Sequence, residues 1–259
     1  MTKTHPLMAD DGHVILQAPT AQAMVDLAQR HRAANNIAIE LLSAAGGTVE
    51  NLLARIPRAM RRPMELATAR ALEASFAMAT RSRGKRLPDG SERANAMIAS
   101  AFGALGGLGG IATALAEMPF SVTLLIRSVQ SIALQYGFDP NTEETRKDCL
   151  LIISAAGPLD RDDGADLAFV AARMTLTGVS LNAMLSRAAP QVSAILMQRL
   201  ATRAVPVLGA AAGAATNYAF SRYYQEMAHI HFGLRRLAED SGREIPDLIA
   251  ELRGLIDAR

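Results

Sequence analysis

Tryptophan is absent from this 259-residue chain, and aromatic residues of any kind make up only 4% of it. A base-stacking nucleic-acid reader needs aromatic platforms, so no nucleic-acid partner is expected. β-branched and aromatic residues, which sheets favour, are thin throughout, and this excludes an all-β fold. A single cysteine, Cys149, excludes an intrachain disulfide and fits a reducing compartment. Inside the apolar run Cys149-Leu-Leu-Ile-Ile it reads as a core residue and not as a nucleophile. Net charge is nearly absent as well: 27 Lys and Arg against 25 Asp and Glu leave +2. No basic and apolar leader precedes the body of the chain. Residues 1–19 are polar and read as a flexible N-terminal arm instead of a signal peptide, which gives a cytoplasmic expectation.

Alanine fills the gap. There are 49 alanines, 19 glycines and 12 methionines, beside abundant Leu, Arg and Glu. These residues favour helices, and apolar positions recur at helical spacing from residue 20 onward. The expected fold is all-α, a single domain over 20–259 built as a multi-helix bundle of about eight to ten helices. Thr20 caps a first helix that stops at Gly46-Gly47. A short helix over 49–56 meets Pro57, and Pro63 suits the first turn of another that ends near Arg81. Pro119 restarts a long glycine-broken region, which stops at Gly137-Phe-Asp139-Pro140. Asn141 and Glu144 form a capping-box pattern for a helix over 142–156. Helices over 165–187, 190–203, 207–238 and 244–257 complete the chain.

Two stretches carry almost no charge. Residues 94–116 have none, and neither do 204–221; between 94 and 138 only Glu117 and Arg127 are charged. Gly103, Gly106, Gly107 and Gly110 in the first, and Gly209 and Gly213 in the second, follow Gly-x-x-x-Gly spacing. This spacing lets helix backbones approach closely, in a membrane or in a tightly packed bundle. Two central Gly/Ala-rich helices are expected, with 98–136 either buried or membrane-inserted.

Few residues suggest chemistry. Gly107-Leu-Gly109-Gly-Ile-Ala112 has the letters of a dinucleotide fingerprint but no strand to deliver the chain. Neither glycine stretch carries the Lys of a phosphate loop. Gly178-Val-Ser180 lacks the strand and the last glycine of a nucleophile elbow. Asp160 to Asp166 opens like a calcium loop, yet its glycine and its twelfth residue are wrong. The richest stretch is Tyr223-Tyr224-Gln-Glu226-Met-Ala-His229-Ile-His231. Glu226 and His229 stand at i, i+3, half of a di-iron carboxylate site, but no second Glu-x-x-His exists in the chain. His229 and His231 lie roughly 200° apart on a helix and cannot share one metal. Tyr224, Glu226, His229 and His231, with Glu117 and Arg127 facing them, are the candidates for a hydrolase or metal-dependent activity. No metal and no cofactor are expected.

The basic groups are unevenly placed. Arg55, Arg58, Arg61 and Arg62 cluster in a stretch with no acid, and helical spacing puts Arg55, Arg58 and Arg62 on one side. That suits anionic lipid headgroups, each charge contributing about 1 kcal/mol near a membrane.

Gly106-Gly107-Leu-Gly109-Gly110, Glu117-Met-Pro119, Leu124-Leu-Ile-Arg127 and Tyr136-Gly137-Phe-Asp139-Pro140 together resemble the middle block of the EcsC protein family. Val205-Pro206 through Gly209, Gly213 and Asn217-Tyr218, leading to Phe232 and Arg235, resembles its C-terminal block. The resemblance implies a helical protein of unknown biochemical activity. It also implies membrane association and a link to an ABC transporter, because the family is named for a member encoded beside transporter components. The peptidase label sometimes given to such proteins finds no support in these residues. The leading expectation is a non-enzymatic accessory protein at the cytoplasmic membrane face. The rivals are an enzyme centred on Glu226 and His229, and a protein-binding bundle with an exposed apolar groove.

Overall fold

A computed structural model describes residues 18–45, 59, 61–81, 110–154, 180–203 and 209–258. The described residues form seven helices and no strand, so the all-α class holds; the eight to ten helices expected were counted over the whole chain, which includes residues outside those described. In chain order they are α1 (Ala18–Ala45), α2 (Arg61–Arg81), α3 (Gly110–Gln135), α4 (Glu143–Ser154), α5 (Leu181–Arg203), α6 (Gly209–Ser241) and α7 (Ile245–Asp257). The expected 49–56 helix, the acidic turn at 160–166 and Gly103, Gly106 and Gly107 lie outside the described residues.

Proline proves a poorer punctuation mark here than its chemistry suggests. Pro119 lies within α3 and Pro190 within α5, and each helix runs through without a restart. A proline removes one N–H and crowds the carbonyl four residues back. The packing of both helices against their neighbours outweighs that loss. At three helix starts proline behaves as its chemistry suggests: Pro19 stands in the first turn of α1, Pro63 in that of α2, as the sequence predicts, and Pro246 in that of α7. Accordingly α1 begins at Ala18, two residues before Thr20.

The stop at Gly137 is as the sequence predicts. Gly137 has φ +83°, a left-handed conformation open to glycine at little cost. Its N–H donates to the Leu134 carbonyl at 3.0 Å, and the Phe138 N–H donates to Ala133 at 2.9 Å, the paired bonds of a Schellman motif. The cap of α4 differs from expectation. Asp139 Oδ1 accepts from both the backbone and the side chain of Asn141, each at 2.9 Å, which occupies that side chain in the turn. Thr142 caps instead, its hydroxyl oxygen accepting from the Thr145 N–H at 3.3 Å. The exposed Glu143 carboxyl is held below its ordinary pKa, first by the hydrogen bond and attraction of Lys147, then by the Leu181 N–H at the start of α5. A lowered carboxyl stabilises the fold above its ordinary range, and this contribution is lost as pH falls through the lowered value.

α6 is the axis. α1, α3, α4, α5 and α7 all pack on it, while α2 lies outside, against α3 and α5. Met24, Leu72, Ile126, Ile132, Leu150, Ile152, Tyr223, Tyr224 and Phe232 have 2% exposure or less in the core. The stretch 121–133 is part of that core and is buried at most positions, and no helix among the described residues is long and apolar enough to cross a membrane. Cys149 is fully buried, as expected.

α1 and α6 run antiparallel, Leu27 meeting Gly233 and Arg30 meeting Glu226. They touch closely at Gly233. A Cβ there would lie 2.7 Å from Leu27 Cδ2 and within 3.5 Å of Leu27 Cγ. Glycine inside a helix costs about 1 kcal/mol relative to alanine, and the close approach is what it provides in return. Gly233→Val is expected to destabilise by about 1–3 kcal/mol through overpacking. Gly233→Ala should be near neutral, because the gain in helix propensity offsets a shift of the Leu27 tip. Urea unfolding midpoints at unchanged slope check both.

Candidate functional site

The polar residues of α6 divide between two faces. Arg222, Gln225, Glu226 and His229 follow the i, i+3, i+4, i+7 spacing of one helical face. His231 and Arg235 lie on the opposite side. Every residue from Tyr223 to Leu234 is buried, so the polar groups of that stretch must find their partners within the protein.

On the first face Glu226 is only 4% exposed and sits between two guanidiniums. Arg30 Nη1 of α1 donates to its Oε2 at 2.8 Å, and Arg222 Nη2 donates to its Oε1 at 2.6 Å. Arg222 Nη1 also donates to Gln225 Oε1 at 3.1 Å, and Gln225 Nε2 donates to the Ser128 hydroxyl of α3 at 2.8 Å. One turn further along, His229 Nδ1 lies 3.2 Å from the Tyr136 hydroxyl, with the two rings edge to face at 5.7 Å. This face therefore ties α6 to α1 through ions and to α3 through amide, hydroxyl and imidazole groups.

The second face meets α4. Asp148 and His231 are each 1% exposed, and His231 Nε2 is 3.3 Å from Asp148 Oδ1. Arg235 Nη1 donates to Asp148 Oδ2 at 2.7 Å, while its other nitrogens reach the exposed Glu144 at 3.6 Å and Glu239 at 3.4 Å. The Arg235 guanidinium lies 4.0 Å from the centre of the Phe138 ring, and Phe138 packs on Phe232 at 5.6 Å. Such a stacked, forked cation suits arginine and not lysine. The turn after α3 is thus clamped onto α6. The two stretches that carry the family resemblance, Tyr136 to Pro140 and the block leading to Phe232 and Arg235, meet at this corner.

The structure brings the predicted residues together in a different way from the one their types suggested. His229 and His231 do serve different partners, as their angular separation requires. Both oxygens of Glu226 are held by arginines, and among the described residues no group of three or more His, Cys, Asp and Glu could hold a metal. Arg127 is buried on α3 at 5% exposure, but the arginines on Glu226 are Arg30 and Arg222. Glu117 falls on α3, where the backbone alone is described. Tyr224 is buried edge-on to Tyr223 at 5.3 Å. It also lines a small crevice, about 30 Å³ in volume, with Asn217, Ser221 and Leu124. Ser180 caps α5, its Oγ accepting from the Ala183 N–H at 3.3 Å.

The partners Arg30, Arg222 and Asp148 were missed by residue-type reasoning. Asp148 had a signal: with Thr145, Cys149 and Ile152 it falls on the buried stripe of α4, and a carboxylate in such a stripe requires a cation. Among the lipid candidates, Arg61 and Arg62 open α2 and Arg62 is exposed; Arg55 and Arg58 lie outside the described residues. Gly110 and Gly209 are the first residues of α3 and α6, and Gly213 lies one turn into α6.

Residues 64–237 match the EcsC protein family, about two thirds of the chain and including every group on the two α6 faces except Arg30 and Glu239. No curated protein and no solved structure matches the chain.

Proposed function

The chain belongs to the EcsC protein family, and from that premise we propose that it is a non-enzymatic accessory protein acting at the anionic, cytoplasmic face of a membrane. The observation that carries the reading is the start of α2. Arg61 and Arg62 stand in its first turn, with no acidic residue there and none anywhere from 51 to 64. Cations at a helix N-terminus oppose the helix dipole and cost a few tenths of a kcal/mol or more. Glu226 and Asp148 lie within the fold beside arginines, whereas Arg62 is exposed. In this reading an anionic headgroup layer supplies counter-charge to the cluster. A partner such as an ABC transporter or another membrane protein fits the same surface. The polar faces of α6, in this reading, serve the fold.

Vesicle flotation tests it. The protein should float with phosphatidylglycerol-containing vesicles at low salt, and less so as the screening length shortens to about 8 Å near physiological ionic strength. Replacing Arg55, Arg58, Arg61 and Arg62 together by Glu should abolish flotation. Absence of wild-type binding at low salt would overturn the reading.

A further inference from the structure

We infer that α2 meets the bilayer with its outer face, and that Leu66 enters the acyl region between Arg62 and Arg70. This rests on the membrane-surface reading above and specifies which element makes the contact and how. Met64, Thr68, Ala71 and Leu72 have 2% exposure or less and face α3 and α5. On the opposite side Leu66 is 56% exposed. Arg62 and Arg70 stand one turn before and one turn after it, each offset by about 40° around the helix, and both are exposed. Pro63, also exposed, extends the patch without charge. Glu65 lies to one side, roughly 100° from Leu66. The exposed Glu73 is two turns further on, nearly in line with Leu66 and one turn past Arg70, so the N-terminal half of the helix would enter first.

The chemistry fits an anionic bilayer better than a protein groove. Two arginines bracketing one leucine can extend their guanidiniums to phosphates while their aliphatic stems follow the leucine downward. From 51 to 72 the chain holds five arginines and one glutamate, a balance complementary to an acidic headgroup layer. A purely electrostatic contact would be erased by salt. An inserted leucine leaves a residue of binding that is not.

The absence of tryptophan makes the test clean, since Leu66→Trp places a single indole at the proposed point of entry. With phosphatidylglycerol-containing phosphatidylcholine vesicles, the emission should shift to shorter wavelength and be quenched by bromine-labelled acyl chains. Leu134→Trp, at another exposed position on α3, should do neither. Leu66→Ala, which leaves the fold alone, should bind about tenfold more weakly and lose the salt-resistant fraction. If the protein floats but the Leu66→Trp emission stays that of an exposed indole, the insertion is overturned and the electrostatic reading survives. If the emission shifts with protein concentration in the absence of vesicles, a second copy covers this face and the proposal fails. If wild type does not bind vesicles at all, both readings fall together.

Discussion

Arg235→Ala should lower unfolding stability by about 3–5 kcal/mol, the cost of stranding a buried charge. Asp148 is the charge in question. It is 1% exposed, with one oxygen 2.7 Å from Arg235 and the other 3.3 Å from His231. Without the guanidinium, the carboxylate keeps its desolvation penalty and loses most of its compensation. The same change removes the cation over Phe138, which frees the turn that ends α3. Arg235→Lys should recover only part of the loss, because an ammonium provides neither the fork nor the stacking surface. The control is Asp148→Leu combined with Arg235→Met, which removes both charges at similar volume. It should cost less than Arg235→Ala alone, since apolar replacement of a whole buried pair is often close to neutral. A double-mutant cycle on urea midpoints measures the coupling. Additive single changes would show that the pair contributes nothing as a pair.

Phe232→Ala is the second large effect, again about 3–5 kcal/mol. Phe232 has no exposed surface, lies 5.6 Å from Phe138 and takes His231 edge-on at 5.2 Å. Truncation opens a cavity where the turn after α3, α4 and α6 converge, and the clamp on Phe138 would loosen with it. The effect should exceed that of His229→Ala. That change opens a smaller cavity, removes the edge-to-face contact and leaves the Tyr136 hydroxyl without the imidazole, and should cost about 2–3 kcal/mol. Reversal of this order would mean that the Tyr136–His229 contact has a role beyond packing.

The helices, and most of their ends, were legible because each depends on a local rule. Apolar periodicity located α1, α2, α4, α6 and α7 closely, but divided α5 between expected helices over 165–187 and 190–203 and broke α3 at Pro119. Gly137 announced its own left-handed turn, and Pro63 marked the first turn of α2. Where local rules conflicted with packing, packing won, as at Pro119 and Pro190 inside continuous helices. At the start of α4, Asp139 had already engaged Asn141, so the cap passed to Thr142; two neighbouring side chains competed for one role. The site was legible in part. Glu226, His229 and His231 were identifiable as the residues of α6 with the most chemistry to offer, and the angular separation of the two histidines already argued against a shared metal. Their partners were not identifiable. Arg30 lies 196 residues from Glu226, and Asp148 lies 87 from Arg235; no spacing rule joins such pairs. A histidine and a glutamate at i, i+3 look alike whether they face a metal or an arginine. The fold decides which.

In the proposed division of labour, the polar residues of α6 hold the helices together and the basic face of α2 meets the membrane. Urea midpoints and vesicle flotation measured on the same folded preparations test this division most directly. The predicted result is a double dissociation: Arg235→Ala and Phe232→Ala lower the midpoint and still float, while the arginine-to-glutamate variant holds or raises its midpoint and does not. Arg235→Ala with an unchanged midpoint and lost binding would contradict it.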